Sequence, residues 1–138
     1  MRHSKSFTLA VISALSILQI ANAQDYSSYR WTKLSIPYSN TFVDWTRING
    51  DKERGFTVPI LDSYDEITSA QMWGLSAVST VSIRCLQGSM QELNLTWTEN
   101  RMGKGRVMKT FGSSPVIYPQ KKGFEDSYQR NLFNVLCR

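Results

Sequence analysis

The stretch VSIRCLQGSMQELNLTW, residues 81–97, decides the fold of this chain. Apolar and polar side chains alternate on both sides of Gln87-Gly88-Ser89, a pattern typical of a β-hairpin that buries one face. We therefore expect a central hairpin with a cysteine on its inner face. The alternation places Val81, Ile83, Cys85, Leu93, Leu95 and Trp97 on that inner face, and Asn94, Thr96 and Thr98 on the outer face.

The chain has two cysteines, one in this hairpin and one near the C-terminal end of the sequence. Cys85 lies in the first strand of the hairpin, and Cys137 is the penultimate residue. Two cysteines in an oxidising compartment predict one intramolecular disulfide, although free thiols or an intermolecular bond also fit the count. The predicted bridge closes a loop of about 52 residues, which the chain-entropy relation values at about 4 kcal/mol.

The first 23 residues have the features of a signal peptide. Arg2, His3 and Lys5 form a positive segment, an apolar segment runs from Phe7 to Ile20, and Ala21-Asn22-Ala23 supplies small residues for cleavage. Cleavage leaves one exported domain over residues 24–138, and the alternative is an uncleaved membrane anchor. The apolar segment is short for a bilayer span, and no later segment is apolar enough to cross. We therefore expect a periplasmic or secreted protein without a transmembrane segment.

The net charge of the exported chain is small. The full chain has 16 basic and 11 acidic side chains and a net charge of +5, and removal of Arg2 and Lys5 lowers the charge to +3. This excess is weak support for nucleic-acid binding, which an exported protein also rarely encounters. We expect no nucleic-acid partner.

Two further strands are predicted upstream of the hairpin. Residues 41–48 alternate as a strand, and Asn49-Gly50 is a strong signal for a two-residue hairpin turn. Phe56, Val58 and Ile60 continue the alternation in a return strand. Pro59 lies inside that strand, which favours an edge position or a bulge because proline donates no ladder hydrogen bond.

The N-terminal segment 24–40 is rich in aromatic residues, namely Tyr26, Tyr29, Trp31 and Tyr38. Pro37 interrupts regular structure there, and the alternation over residues 31–36 allows a short strand. We expect these rings to pack over one end of the core, because aromatic side chains dominate core burial in small domains. An exposed platform for stacking a ligand is the alternative.

The rest of the chain adds a short helix, two strands and a C-terminal helix. Residues 62–74 predict the short helix, and residues 106–111 and 116–118 predict the strands. Helical spacing of Phe124, Tyr128, Leu132 and Val135 or Leu136 predicts the amphipathic C-terminal helix. The predicted fold class is α+β, mostly β: an antiparallel sheet or a small sandwich or barrel of about six to seven strands with a C-terminal helix, held by one disulfide.

Several catalytic chemistries are excluded because the only histidine, His3, lies in the predicted signal peptide. The exported chain has no histidine for a Ser-His-Asp, Cys-His or zinc site. It has no P-loop or dinucleotide motif, and we expect no cofactor and no metal. A carboxylate-dependent glycan hydrolase stays open as an alternative, with no spacing that singles out a pair among Asp44, Asp62, Asp65, Glu66, Glu92 and Glu99.

Basic residues are concentrated late in the chain. Between residues 101 and 122 there are six basic side chains and no acidic one: Arg101, Lys104, Arg106, Lys109, Lys121 and Lys122. This run predicts a basic surface for an anionic partner, either an acidic protein or an anionic envelope component, with Lys121 and Lys122 expected near the other four. The alternative is a solvated face whose charges are balanced elsewhere. Gly103 and Gly105 predict a mobile loop.

The run Ser82-Ile83-Arg84-Cys85, the hairpin after it and a cysteine that closes a C-terminal helix resemble periplasmic accessory proteins associated with type VI secretion. The resemblance covers the C-terminal part of the chain and transfers no functional residue. The whole sequence predicts a non-enzymatic exported binding protein that acts as an inhibitor, immunity protein or accessory factor. The alternatives are the glycan hydrolase and a structural or secretion-system subunit of the envelope. Such a subunit would expose a large apolar patch or an open sheet edge, which we expect at Pro59 or the N-terminal aromatic segment.

Overall fold

A computed structural model describes residues 25–36, 39–65 and 73–138 of the chain. These residues form an antiparallel sheet and a C-terminal helix, which confirms the predicted α+β, mostly β fold class. The predicted signal peptide, the centre of the helix predicted over 62–74, and Pro37 and Tyr38 lie outside the described residues.

The sheet has seven strands, and every pairing is antiparallel. The strands are β1 (Thr32–Lys33), β2 (Thr41–Val43), β3 (Asn49–Asp51), β4 (Gly55–Ser63), β5 (Ser76–Arg84), β6 (Ser89–Thr98) and β7 (Val107–Phe111), followed by helix α1 (Tyr128–Cys137). Their order across the sheet is β1-β2-β4-β5-β6-β7, and β3 pairs with β4 next to β2. The segment predicted as a strand over 116–118 makes only an isolated bridge, between Ile117 and Met90.

The predicted central hairpin consists of β5 and β6, with Ile83 opposite Met90 and Ala77 opposite Trp97. Its inner face differs from the prediction in the first half of β6, where Met90 is buried opposite Ile83. The register shifts between Thr80 and Val81, so that Leu93 has no partner on β5 and is 38% exposed. This β-bulge puts one extra residue on β6, which a strict alternation of side chains does not reveal.

Thr96 and Thr98 lie on the face opposite Trp97, as predicted, but both are buried, so the expectation that this is an outer face is wrong for them. They share a face with Val78, because Val78 opposes Thr96 and Ser76 opposes Thr98. This second face is covered as well, and the sheet therefore has no fully solvated side at its centre.

Helix α1 covers the face of the sheet that carries Val81 and Ile83, which we call the first face. Ser127 caps the helix, since its Oγ accepts a hydrogen bond from the Arg130 N–H at 3.2 Å. Of the two positions that the helical spacing left open, Leu136 packs on the core and Val135 is 58% exposed. The core between α1 and the sheet consists of Leu34, Val43, Val58, Ile60, Val81, Ile83, Met90, Leu132 and Phe133.

In the described part of the chain, no helix has the length and apolar character needed to cross a membrane.

The N-terminal aromatic segment covers the second face. Tyr26 is buried against Leu61 and Val78, and Tyr29 and Trp31 pack beside them. The rings of Tyr29 and Trp31 are stacked with centroids 5.1 Å apart. The expectation that these rings pack over the core is confirmed for the three that the structure describes.

The predicted disulfide is confirmed. Cys85 and Cys137 are bonded, with Cα atoms 5.3 Å apart and a sequence separation of 52. The bond joins the last residue of α1 to the residue that follows β5. It therefore holds the helix against the first face of the sheet.

The strand predicted over 41–48 ends early, at Val43. A single 3-10 turn, Trp45–Arg47, replaces its second half, because Asp44 Oδ1 accepts a hydrogen bond from the Thr46 N–H at 2.9 Å. A short polar side chain that binds the backbone two residues later competes with strand pairing.

The turn predicted at Asn49-Gly50 lies a few residues further on, between Asp51 and Gly55. Asp51 Oδ1 fixes this turn by accepting a hydrogen bond from the Arg54 N–H at 2.7 Å. Gly50 lies inside β3 with φ +108°, where an added Cβ would collide with the carbonyl oxygen of Gly55. Close approach of the two backbones is therefore the reason for a glycine at this position.

Pro59 lies in the central strand β4 rather than at a sheet edge. Its carbonyl oxygen accepts a hydrogen bond from the Asp44 N–H at 3.4 Å. Because the nitrogen and oxygen of one strand residue point to the same side, the proline nitrogen faces the gap between β2 and β3. The break in the sheet therefore lies not in β4 but in the segment that pairs with it, between β2 and β3. The missing proline N–H costs no ladder hydrogen bond there.

The disulfide yields the first testable prediction. Replacement of both Cys85 and Cys137 by serine should lower the free energy of unfolding by about 4 kcal/mol, because the unfolded chain regains the entropy of a long loop. Urea unfolding of the oxidised protein and the double variant measures this difference. Equal unfolding midpoints would contradict the role given to this bond.

Asp44 is the buried charge of the fold, with no exposed side-chain surface. Its carboxylate accepts hydrogen bonds from the Arg30 N–H at 2.8 Å and from the Thr46 N–H and hydroxyl, and Arg47 Nε lies 3.3 Å away. Burial alone would raise the pKa of Asp44, but the hydrogen bonds from Thr46 and Arg30 and the charge of Arg47 lower it below its usual value. This carboxylate ties the N-terminal segment to the 3-10 turn.

Asp44→Asn should therefore destabilise the fold by on the order of 2 kcal/mol at neutral pH, because an amide cannot replace all these acceptor bonds. A carboxyl whose pKa is lowered by folding stabilises the protein above its unfolded-state pKa of about 3.9, and this contribution is lost as the pH falls through the native pKa. The stability difference between the two proteins should shrink below about pH 4. Unfolding curves between neutral and acidic pH test this, and a pH-independent difference would refute it.

Candidate functional site

Three buried hydroxyl side chains meet where the strands β4, β5 and β6 end together. Ser63 opposes Ser76, and Ser76 opposes Thr98 on the next strand. All three lie on the second face of the sheet, and each is at most 5% exposed. We call Ser63, Ser76 and Thr98 the hydroxyl cluster. The cluster was not predicted, because its only signal in the sequence is a small hydroxyl residue at the end of each strand.

The hydroxyl cluster holds the backbone of the next segment, residues 100–106, which we call the basic turn. Ser76 Oγ donates a hydrogen bond to the Asn100 carbonyl at 2.6 Å and accepts one from the Gly103 N–H at 2.8 Å. Ser63 Oγ accepts a hydrogen bond from the Met102 N–H at 3.0 Å. Thr98 Oγ1 lies 2.7 Å from Ser76 Oγ and completes the network.

Met102 has a left-handed backbone, with φ 58° and ψ 32°, the one non-glycine residue with positive φ among the residues that the structure describes. Such a conformation costs about 1 kcal/mol or more for an L-residue and persists only where the surroundings enforce it. Two contacts hold Met102 in this conformation. Its N–H is hydrogen-bonded to Ser63 Oγ, and its side chain packs against Tyr26, Leu61 and Val78.

Gly103 is part of the same arrangement. It is buried with φ +73°, and an added Cβ would lie 3.2 to 3.3 Å from atoms of Tyr26 and Val78. Gly103 therefore permits close packing of the basic turn on the core, whereas the sequence analysis took it as a source of mobility.

The structure brings three of the six basic candidates together in the basic turn. Arg101 and Lys104 border a shallow depression of about 560 Å³, whose floor includes Leu75 and Met102. Arg106 follows at the start of β7. Two of these side chains have acidic neighbours: Arg101 lies 2.8 Å from Asp65, and Arg106 lies 3.1 Å from Glu99.

The two ion pairs of the basic turn are exposed to solvent. The hydrogen bond and charge of Arg106 lower the pKa of Glu99 below its usual value. Exposed pairs of this kind contribute about 0 to 1 kcal/mol, so they exchange easily for other partners.

Lys109 lies on β7, three residues after Arg106 in the chain. Its Nζ is 5.2 Å from the ring centroid of Trp73 and 5.6 Å from that of Phe111, distances at which a cation is attracted to an aromatic face. The Trp73 and Phe111 rings meet edge to face at 6.1 Å. Lys109 is thus displayed from an exposed aromatic pair next to the basic turn.

Lys121 and Lys122 lie at the opposite end of the sheet. Lys109 opposes Trp97 on β6, whereas Ile117, which leads to the two lysines, bridges to Met90. Seven residues of strand separate those β6 positions, roughly 20 Å. The two lysines lie far from Lys109 because the chain returns along the β6 edge after β7, towards the other end of the sheet. The structure therefore divides the six residues into one group of four and a separate pair.

The carboxylate candidates are also dispersed. Asp44 is internally bonded, Asp65 and Glu99 pair with arginines, and Glu66 lies outside the described residues. A cleft of about 210 Å³ between α1 and β6 is lined by one carboxylate, Glu92, beside Tyr128. Glu92 also accepts a hydrogen bond from the Ser114 hydroxyl.

The remaining carboxyl group, Asp62, is not among the residues that line that cleft. Burial raises the pKa of Asp62, and the charge of Glu92 adds to the effect, while a hydrogen bond from the Thr41 hydroxyl opposes it. A glycosidase pair needs two carboxyl groups about 5 to 9.5 Å apart across one groove. The lining of this cleft contains one, Glu92. The described residues also contain no group of three or more histidine, cysteine or acidic side chains suited to a metal ion.

Comparison of this chain with family models, curated proteins and solved structures found no match. The resemblance to type VI accessory proteins therefore stays a prediction. The function has to be argued from the hydroxyl cluster, the basic turn and the strand beside them.

The hydroxyl cluster yields a second kind of prediction. Ser76→Ala removes the atom that binds both Gly103 and Asn100, and it should lower the free energy of unfolding by about 1 to 3 kcal/mol. Amide hydrogen exchange at Met102 and Gly103 should accelerate more than exchange at Ile83 in the core. Ser113→Ala in an exposed loop is the matched control. Unchanged exchange in the basic turn of the Ser76 variant would refute the anchoring role.

Proposed function

We propose that this protein is a small exported, non-enzymatic binding protein that recognises an anionic partner through the basic turn. Arg101, Lys104 and Arg106 supply the charge, and Lys109 on β7 extends the surface. The partner is an acidic protein or an anionic envelope component, and the protein acts on it as an inhibitor, immunity protein or accessory factor.

The observation that carries this proposal is the left-handed Met102 inside the basic turn. A backbone held in an unfavourable conformation by buried hydroxyl groups displays its charged side chains from a fixed frame. Such preorganisation favours binding, because less conformational freedom is lost when the partner arrives. Unfavourable backbone conformations are concentrated at functional sites.

The charges around the basic turn fit the same function. Arg101 and Arg106 have only exposed carboxylate neighbours, Asp65 and Glu99, and such pairs are weak in water. Lys104 has no carboxylate oxygen within 4 Å among the described residues. A partner that presents carboxylates or phosphates therefore meets arginine and lysine groups whose present contacts are easily replaced.

Export is supported by two independent features. The Cys85–Cys137 disulfide is typical of oxidising compartments. The N-terminal 23 residues carry the positive, apolar and small-residue segments of a signal peptide. Both features fit a periplasmic or secreted protein.

A structural subunit of an envelope assembly is the second candidate, and it has a specific observation in its favour. Such a subunit needs an open sheet edge or an exposed apolar patch. The described strands have two edges, β7 and the two-residue β1 within the N-terminal segment, and β7 is the longer, whereas Pro59 lies in the central strand β4. Assembly through β7 would give a concentration-dependent mass in solution.

Charge reversal tests the proposed function with a control that the structure supplies. The double variant Arg101→Glu and Lys104→Glu should lose its partner, with affinity reduced roughly a hundredfold, because like charges at an interface cost several kcal/mol. The double variant Lys121→Glu and Lys122→Glu makes the same change in net charge at the other end of the sheet and should bind normally. Pull-down from envelope extract identifies the partner, and titration of that partner measures the affinities.

The outcomes separate the possibilities. Loss of binding in the first variant alone supports the basic turn as the site. Retained binding in the first variant, or equal loss in both, would overturn it. Thermal unfolding of both variants checks that the fold is intact, since neither change touches a buried side chain.

A further inference from the structure

Strand β7 forms one edge of the sheet and pairs only with β6. Its residues Met108 to Phe111 are all exposed, and Met108 and Phe111 are 45% and 40% accessible. In the part of the chain that the structure describes, no other strand lies along its outer side. An open edge presents unpaired N–H and C=O groups that can hydrogen-bond an added strand.

The direction of these backbone groups follows from the pairing with β6. The Glu99 N–H donates to the Arg106 carbonyl at 2.9 Å, so Glu99 faces β7. Backbone groups alternate in direction along a strand, so Trp97 and Leu95 face β7 as well. Their partners are Lys109 and Phe111. Between those two, the N–H and C=O of Thr110 point away from β6, towards solvent.

The chain continues beyond β7 to Ser114, whose N–H donates to the Glu92 carbonyl on β6. Between them, Gly112 carries no side chain, and a Cβ added there would have no described atom within 4 Å. Among the residues that the structure describes, none hydrogen-bonds the backbone of residues 110–113 from the outer side of this edge.

The charge at this edge selects the occupant. Lys109 lies on the strand, Arg106 precedes it, and no acidic residue occurs between residues 101 and 122. A second copy of this chain would bring the same basic side chains to the edge, where like charges repel. An acidic extended segment complements them, and the exposed methylenes and rings of Met108 and Phe111 provide apolar contact.

We infer that the partner contributes an extended acidic segment that adds to the sheet as a strand along β7. This binding mode is known as β-augmentation, in which main-chain hydrogen bonds provide affinity and side chains provide specificity. The inference deepens the proposed function and rests on it, because the basic turn would bind charges of the same partner next to the added strand. Thr110 supplies the outward N–H and C=O, and Lys109 and Arg106 pair with the acidic side chains.

The test uses the oxidised protein and a synthetic peptide of alternating glutamate and threonine. Thr110→Pro removes the outward N–H, and proline is tolerated at edge positions whose N–H does not enter the ladder. Thr110→Val keeps that N–H and is the matched control. The Thr110→Pro variant should bind the peptide with roughly tenfold lower affinity, because one main-chain hydrogen bond is lost. The Thr110→Val variant should bind it with the affinity of the unchanged protein.

A second peptide separates strand addition from simple charge attraction. It carries the same number of glutamates with prolines in place of the threonines, and it cannot form a strand ladder. Preferential binding of the threonine peptide supports the inference. Equal binding of both peptides, or no binding of either, would overturn strand addition at β7. The partner titration with the charge-reversed basic turn decides the proposed function separately.

Amide hydrogen exchange gives a readout that needs no variant. Saturation with the threonine peptide should slow exchange at Thr110 in the unchanged protein, because its N–H becomes hydrogen-bonded. Exchange at Leu86, an exposed residue at the far end of the sheet, should not change. Slowed exchange elsewhere with none at Thr110 would place the peptide at another surface and refute the inference.

Discussion

The structure depends on covering both faces of the central strands β4 and β5. Val58 and Val81 point to one face, whereas Leu61 and Val78 point to the other, and all four are buried. A sheet with apolar residues on both sides needs a layer of other elements on each. Helix α1 forms one layer, and the N-terminal aromatic segment together with the basic turn forms the other.

Each layer has its own attachment to the sheet. The helix is held by the disulfide, which constrains the chain without using buried area. The second layer is held by polar groups, with Asp44 binding the N-terminal segment and the hydroxyl cluster binding the basic turn. The candidate site is consequently part of the layer that covers the second face of the sheet. Its charged side chains are exposed, but the backbone beneath them is hydrogen-bonded to the buried Ser63 and Ser76 hydroxyl groups.

Local sequence patterns predicted the elements whose cause is local. The β5–β6 hairpin follows from alternation around a glycine turn, and α1 follows from helical spacing of apolar residues. The disulfide follows from the count of cysteines. The errors arose where a distant group decides the outcome. Asp44 begins a turn in place of a strand while its other oxygen binds the backbone of Arg30, and no local pattern reports that contact.

The site was only partly predictable for the same reason. The sequence by itself determined the β5–β6 hairpin, the disulfide, the C-terminal helix and the excess of positive charge after residue 100, because each is set by residue identity and short-range spacing. Only the tertiary structure decided which basic residues share a surface, that β7 lies at an edge of the sheet, and that Ser76 fixes the basic turn. Those properties depend on strand order and register, which join residues far apart in the chain and leave no periodic signal in it.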